Sequence, residues 1–175
     1  MRLLESAGPA GLTLRALAKE LRGSITLVTH IYPTRRDLLN AIAEGLIEQY
    51  DTELPALEVN APPRERLWIL LEWMLPLSDD AWRQERARIQ LVSDMDAESA
   101  GVVADKMDTR MRELIRDRLR PLIEPSEINS LVDVLRAITD GIILATVEHR
   151  HMWPPERQLN TLRTALRALN LSVPE

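Results

Sequence analysis

The chain has no cysteine, which excludes disulfides, thiolate metal sites and cysteine nucleophiles together. It has no phenylalanine either. Its aromatics are four tryptophans and two tyrosines, so the apolar content rests on Leu, Ile, Ala and Val. A low β-branched and aromatic share argues against a large sheet, and abundant Leu, Ala, Arg and Glu favour helix. Long apolar runs are missing too. The richest stretch, Leu67 to Leu77, is interrupted by Glu72 and Pro76, well short of the about 18 uncharged residues that span a bilayer. The N-terminus lacks the basic-then-apolar pattern of a signal peptide, so the expected location is cytoplasmic, with no membrane partner. There is no glycine-rich phosphate loop, nucleophile elbow or paired His–Glu zinc motif. No catalytic constellation, cofactor or metal site is expected, and the chain does not read as an enzyme.

What is present fits one compact domain, or a small module joined to a larger one, in 175 residues. The net charge of −5 is unevenly spread: residues 1–40 hold six cations and three anions, so the remainder carries −8. Charge asymmetry of this kind suggests a basic head on an acidic body, although an excess of three is weak support for nucleic-acid binding by itself.

Turn signals divide the chain into helices. Gly8-Pro9-Ala10-Gly11 is a loop, and Thr13 can cap a short helix to Leu21, with Leu14, Leu17, Ala18 and Leu21 on one face. Arg22-Gly23 makes a turn, Ser24 caps a second short helix ending near Tyr32, and Pro33-Thr34 breaks the chain. A long helix is predicted from Arg35 to about Leu54, then others over about 64–77, 79–92, 98–119, 126–148 and 155–169. The fold class is therefore all-α, a short helix-turn-helix followed by a helical bundle.

Two short helices joined by a tight turn can place the second in a DNA major groove. Ala18 supplies the small crossing residue, Leu17, Leu21, Val28 and Ile31 the shared core, and Gly23 the turn. The competing reading is two amphipathic helices in an unrelated bundle. Leu12-Thr13-Leu14, Leu17-Ala18, Leu21, Ser24, Val28 and the run from His30 through Tyr32-Pro33-Thr34-Arg35-Arg36-Asp37-Leu38-Leu39 resemble the TetR family of transcriptional regulators. That resemblance implies a helix-turn-helix head at residues 1–45 and a regulatory and dimerisation body at 46–175; the family has a full first helix, whereas only Met1 to Ala7 precede Gly8 here, so a shortened one is expected. The resemblance implies that Ile25, Thr26, Thr29 and His30 face DNA, that Thr13 and Arg35 meet phosphate, and that Ser24 and Tyr32, at the two ends of the recognition helix, also belong to the DNA-binding set. Arg15 and Arg36 could add attraction that reads no sequence. The partners implied are a near-palindromic double-stranded operator, a small-molecule effector and a second copy of the chain. The alternative is a DNA-binding-impaired ligand-binding or interaction protein of the same fold. The chain departs from the family pattern at Arg22-Gly23, where glycine normally comes first, and at Thr29, where tyrosine is frequent.

Trp68, Glu72, Met74, Trp82, Arg88, Met95, Met107 and Met111 are candidates to line a ligand pocket, against the plainer reading of core filling and solvated charge. Asp94-x-Asp96-x-Glu98 reads as an acidic helix start, because Ser99 and Asp105 stand where a calcium loop needs Gly and Glu. His149 and His151 beside Glu148 have ligand chemistry but i,i+2 spacing, which does not share a helix face. Helix 126–148 carries two apolar stripes, one on Ile128, Leu131, Leu135, Ile138, Ile142 and Ala145 and one on Val134, Ala137, Gly141, Leu144 and Val147. With Leu159, Leu162 and Leu166 of the last helix, the second stripe predicts a homodimer through four helices. The alternative is that both faces are buried internally.

Overall fold

The computed structural model describes residues 13–93 and 97–171, apart from the side chains of residues 35, 91, 97–100 and 102. The expected short first helix, and the candidates Asp94, Met95 and Asp96, lie outside the described residues. Every regular element among the described residues is helical.

The first two helices follow from local capping. α1 (Leu14–Glu20) begins where Thr13 Oγ1 accepts the Ala16 amide at 3.0 Å, and α2 (Ile25–Ile31) begins where Ser24 Oγ accepts that of Leu27 at 3.1 Å. Between them Arg22, not Gly23, takes the left-handed conformation, with φ 50°. The Gly23 amide donates to Ala18 O (2.9 Å) and that of Arg22 to Lys19 O (3.1 Å). This is the two-bond Schellman closure of a helix, whose left-handed position is usually glycine. The glycine stands one residue too late, which corrects the expected role of Gly23.

α3 (Arg35–Leu57) starts from a reciprocal cap. Asp37 Oδ2 accepts from the Thr34 amide (2.9 Å) and hydroxyl (2.7 Å), and Thr34 Oγ1 accepts from the Asp37 amide (3.1 Å). The helix passes the expected stop at Pro55. Proline there forfeits one amide bond within the last turn, and the ladder closes again through the Glu58 amide on Leu54 O at 3.1 Å.

α4 (Pro63–Trp73) buries Leu67, Trp68, Leu70 and Leu71. It ends earlier than the sequence pattern suggests, because Pro76 drives the preceding residue out of helical geometry. α5 (Asp79–Ser93) is capped by Ser78 Oγ on the Ala81 amide at 3.1 Å, and α6 (Ala97–Leu119) stops before Pro121. α7 (Pro125–Glu148), a 3-10 turn (Arg150–Met152) and α8 (Pro155–Ala168) are the last elements among the described residues. α8 closes with a second Schellman pair, Leu171 on Leu166 and Asn170 on Arg167, and here Asn170 holds the left-handed position at φ 55°.

Two compact units result. One combines the described residues up to Gln49 with Arg83–Asp108. Its core includes Val28, Leu38, Leu39, Ala43, Val103 and Met107, and a Lys106–Glu44 ion pair at 2.9 Å joins α6 to α3. The other combines Tyr50–Trp82 with the described residues from Thr109 onward, around Leu70, Leu71, Ile115, Leu135, Leu162 and Leu166. Within this second unit Arg118 grips Glu58 with two nitrogens, Nε to Oε1 at 2.7 Å and Nη2 to Oε2 at 3.0 Å, both side chains nearly enclosed. Arg110 pairs with Asp51 and Glu113, and the hydrogen bond to Asp51 above all holds its guanidinium above the ordinary arginine value.

Candidate nucleic-acid interface and ligand groove

α1 and α2 pack on each other, with Ala18 and Val28 buried where they meet. Leu17 is half-buried, but Leu21 is 64% exposed and Ile31 57% exposed, which corrects their assignment to the shared core. Each helix has only seven residues. Leu21 caps the end of α1 and Ile31 is the last residue of α2, so both stand beyond the crossing.

Ile25, Thr26, Thr29 and His30 occupy i, i+1, i+4 and i+5 of α2, hence one face, turned away from Val28. Ile25, Thr26 and His30 are exposed and Thr29 is half-buried. The Thr29 hydroxyl donates to Ile25 O (3.0 Å) or Thr26 O (3.1 Å), so it meets an outside group as an acceptor. Thr13 and Ser24 are exposed and use their oxygens as cap acceptors, which leaves each hydroxyl its proton to donate. Arg15 and Arg36 are exposed, as are Lys19 and Arg22, which the motif did not single out. Tyr32 caps the end of α2 and is half-buried, and Arg35 is the first residue of α3. The arrangement is a short exposed helix presenting two threonines, an imidazole and an isoleucine beside several cations.

The pocket candidates disperse. Trp68 and Met111 belong to the core of the second unit, where the Arg163 guanidinium lies 5.1 Å from the Trp68 ring centre. Glu72 and Met74 are half-buried in the same unit, Met107 is buried in the first, and Arg88 pairs with Glu85 on its own helix at 2.7 Å. Trp82 alone among them lines the groove of about 520 Å³ that opens between the α4–α5 loop and the segment joining α7 to α8. The sequence reading missed its other chief walls, Trp153, Gln158 and Arg150. The run Trp153-Pro154-Pro155 was their signal, but along the chain it reads only as a helix break. Glu148 ends α7, His149 caps it and His151 lies in the 3-10 turn; no three possible metal ligands gather among the described residues.

On α7 the stripe of Ile128, Leu135 and Ile142 is buried. Val134 (39%), Ala137, Gly141 and Leu144 (46%) are exposed, and a Cβ added at Gly141 would meet nothing within 4 Å. Within the chain this second face is therefore open, while the first is buried. Leu162 and Leu166 are fully buried within the chain and Leu159 half-buried, so the first two are core residues and not surface for a partner, a correction to their grouping with the exposed stripe. The 3–4 spacing of leucines on α8 is what binds it to its own unit.

No helix among the described residues is long and apolar enough to cross a membrane. No protein-family model and no curated protein matches the sequence. In three dimensions the chain is similar to the crystal structure of a transcriptional regulator from Rhodococcus sp. Rha1, with a TM-score of 0.78 over 99% of this chain and 94% of that one at 21% sequence identity, a likeness of fold.

Proposed function

We propose that the chain is a transcriptional regulator of the TetR type, which reads a near-palindromic operator as a homodimer and is released by a small-molecule effector. The observation that carries this reading is the α1–α2 pair, crossing at Ala18 and Val28, with Ile25, Thr26, Thr29 and His30 together on the open face of α2. The likeness over nearly the whole chain to a protein described as a transcriptional regulator supports it. Ser24 and Thr13 suit phosphate by their hydroxyl protons, and Arg15, Arg35 and Arg36 by their charge. The exposed stripe of α7 is the surface we assign to the second copy. Two heads on a two-fold axis would enter successive major grooves, roughly 34–36 Å apart. An effector bound in the body would act by favouring one of two head arrangements, which requires unequal affinity for the two states.

A second reading, the same fold without a grip on DNA, is favoured by the exposed Leu21 and Ile31 and by the strained turn at Arg22. Fluorescence anisotropy with duplex from upstream of the coding region, at low and moderate salt, separates the two. The regulator reading expects saturable binding that weakens steeply with salt. No binding at either salt favours the second.

A further inference from the structure

The groove beside Trp82 has unusual walls. Pro76, Pro154 and Pro155 give it rigid apolar surface, and Trp82 and Trp153 contribute an indole each. Both rings are held in place. Trp82 Nε1 donates to Thr146 O at 3.2 Å, the Arg150 guanidinium lies 4.6 Å from the Trp82 ring centre, and that of Arg157 lies 4.7 Å from the Trp153 ring centre. Asp79 meets the charge of Arg150. The volume of about 520 Å³ falls inside the roughly 300–1,000 Å³ of small-molecule sites.

One polar group in this lining is left unsatisfied. Gln158, 1% exposed, donates from Nε2 to Trp153 O at 3.0 Å and to Pro76 O at 3.4 Å. Two carbonyl oxygens can be faced only by the nitrogen, so the amide orientation is settled by chemistry. Gln158 Oε1 is then a buried acceptor with no hydrogen-bond partner. In native structures such an acceptor is met by protein, by ordered water or by a bound molecule, and this one belongs to a residue of the groove wall.

We propose that this groove binds a planar, largely apolar small molecule that donates one N–H or O–H to Gln158 Oε1 while its ring lies along the tryptophan and proline walls. The pattern matches ligand sites in general: mostly apolar lining, with a few polar atoms that fix orientation. That such a molecule is the effector rests on the regulator reading; its binding does not.

The test uses the full chain and two probes, indole and 1-methylindole, which differ in the one donor. Binding is followed by the side-chain N–H signals of the four tryptophans in nitrogen-15 spectra. Indole is expected to saturate, to move the signals of Trp82 and Trp153, and to bind about tenfold more tightly than 1-methylindole, the value of one hydrogen bond to a buried acceptor. Gln158→Met should remove that difference. Trp153→Ala, which leaves Gln158 in place, should weaken both probes alike. Absence of saturation, or equal affinities in the unaltered chain, overturns the proposal. Duplex binding is measured on the same sample: its loss with the tenfold difference intact sinks the regulator reading and leaves the groove, and the converse sinks the groove alone.

Discussion

At Arg22 a single backbone angle separates what this chain does from what its neighbours in sequence would suggest. A left-handed conformation costs glycine almost nothing, while a side chain of L configuration loses about 1–2 kcal/mol. Arg22 bears that cost at the closure of α1, while Gly23 beside it donates to Ala18 O without taking the left-handed conformation. Replacing Arg22 with glycine should therefore raise stability by about 0.5–1 kcal/mol, less than the full strain because glycine loses more freedom on folding. The check is a urea titration: the midpoint should rise at an unchanged m-value, and a midpoint that stays or falls would show the strain to be absent. Residue-scale features of this kind were unevenly legible. The caps at Thr13 and Ser24 could be read because each depends on a residue only three places along. The positive φ could not be placed, because a Gly beside an Arg signals a turn without saying which of the two closes it. The exposure of Leu21 and Ile31 depends on where two seven-residue helices end in space, which periodicity does not report.

Among the helices, the division of α7 into a buried and an open face was legible, since 3.6-residue periodicity specifies both stripes. Which leucines of α8 face inward was not, because spacing alone cannot choose between a core and a partner. The exposed stripe gives a direct test. Leu144→Glu alters a half-open position, so it should change stability by no more than about 0.5 kcal/mol. If the stripe joins two copies, it places two like charges near a two-fold axis and should convert dimer to monomer in sedimentation velocity. A variant that sediments as the parent does would move the interface elsewhere. The Arg118–Glu58 pair makes the opposite kind of prediction, at the junction of two elements inside one unit. Arg118→Met leaves a nearly enclosed carboxylate without its partner and should cost about 3–5 kcal/mol. Adding Glu58→Leu should recover most of it, since a buried pair offers little over well-packed apolar side chains. Thermal unfolding of the two variants decides: a double variant as weak as the single one would mean the pair supplies net stability. Neither partner suggested the other along the sequence, because they stand sixty positions apart.

For the molecule as a whole, the asymmetry of charge is the property that bears on the proposed DNA binding, since an acidic chain at −5 can hold a duplex only by turning its basic end toward it. Each phosphate contact releases counterions, so the logarithm of affinity falls with the logarithm of salt at about 0.9 per contact. Arg15 is exposed on α1 and reads no base in the proposed arrangement. Arg15→Ala should then weaken binding to every duplex by a similar factor and lower the salt slope by about 1 for each head engaged, or about 2 for a dimer on a palindrome. Thr29→Ala, on the open face of α2, should leave the slope unchanged and alter the ranking of operators that differ at single base pairs. In the monomeric Leu144→Glu background the Arg15 effect on the slope should fall to about 1, because one head remains in contact. These three slopes separate charge, base reading and pairing of copies. A slope change from Thr29→Ala equal to that from Arg15→Ala would show that the face of α2 meets backbone and not base edges.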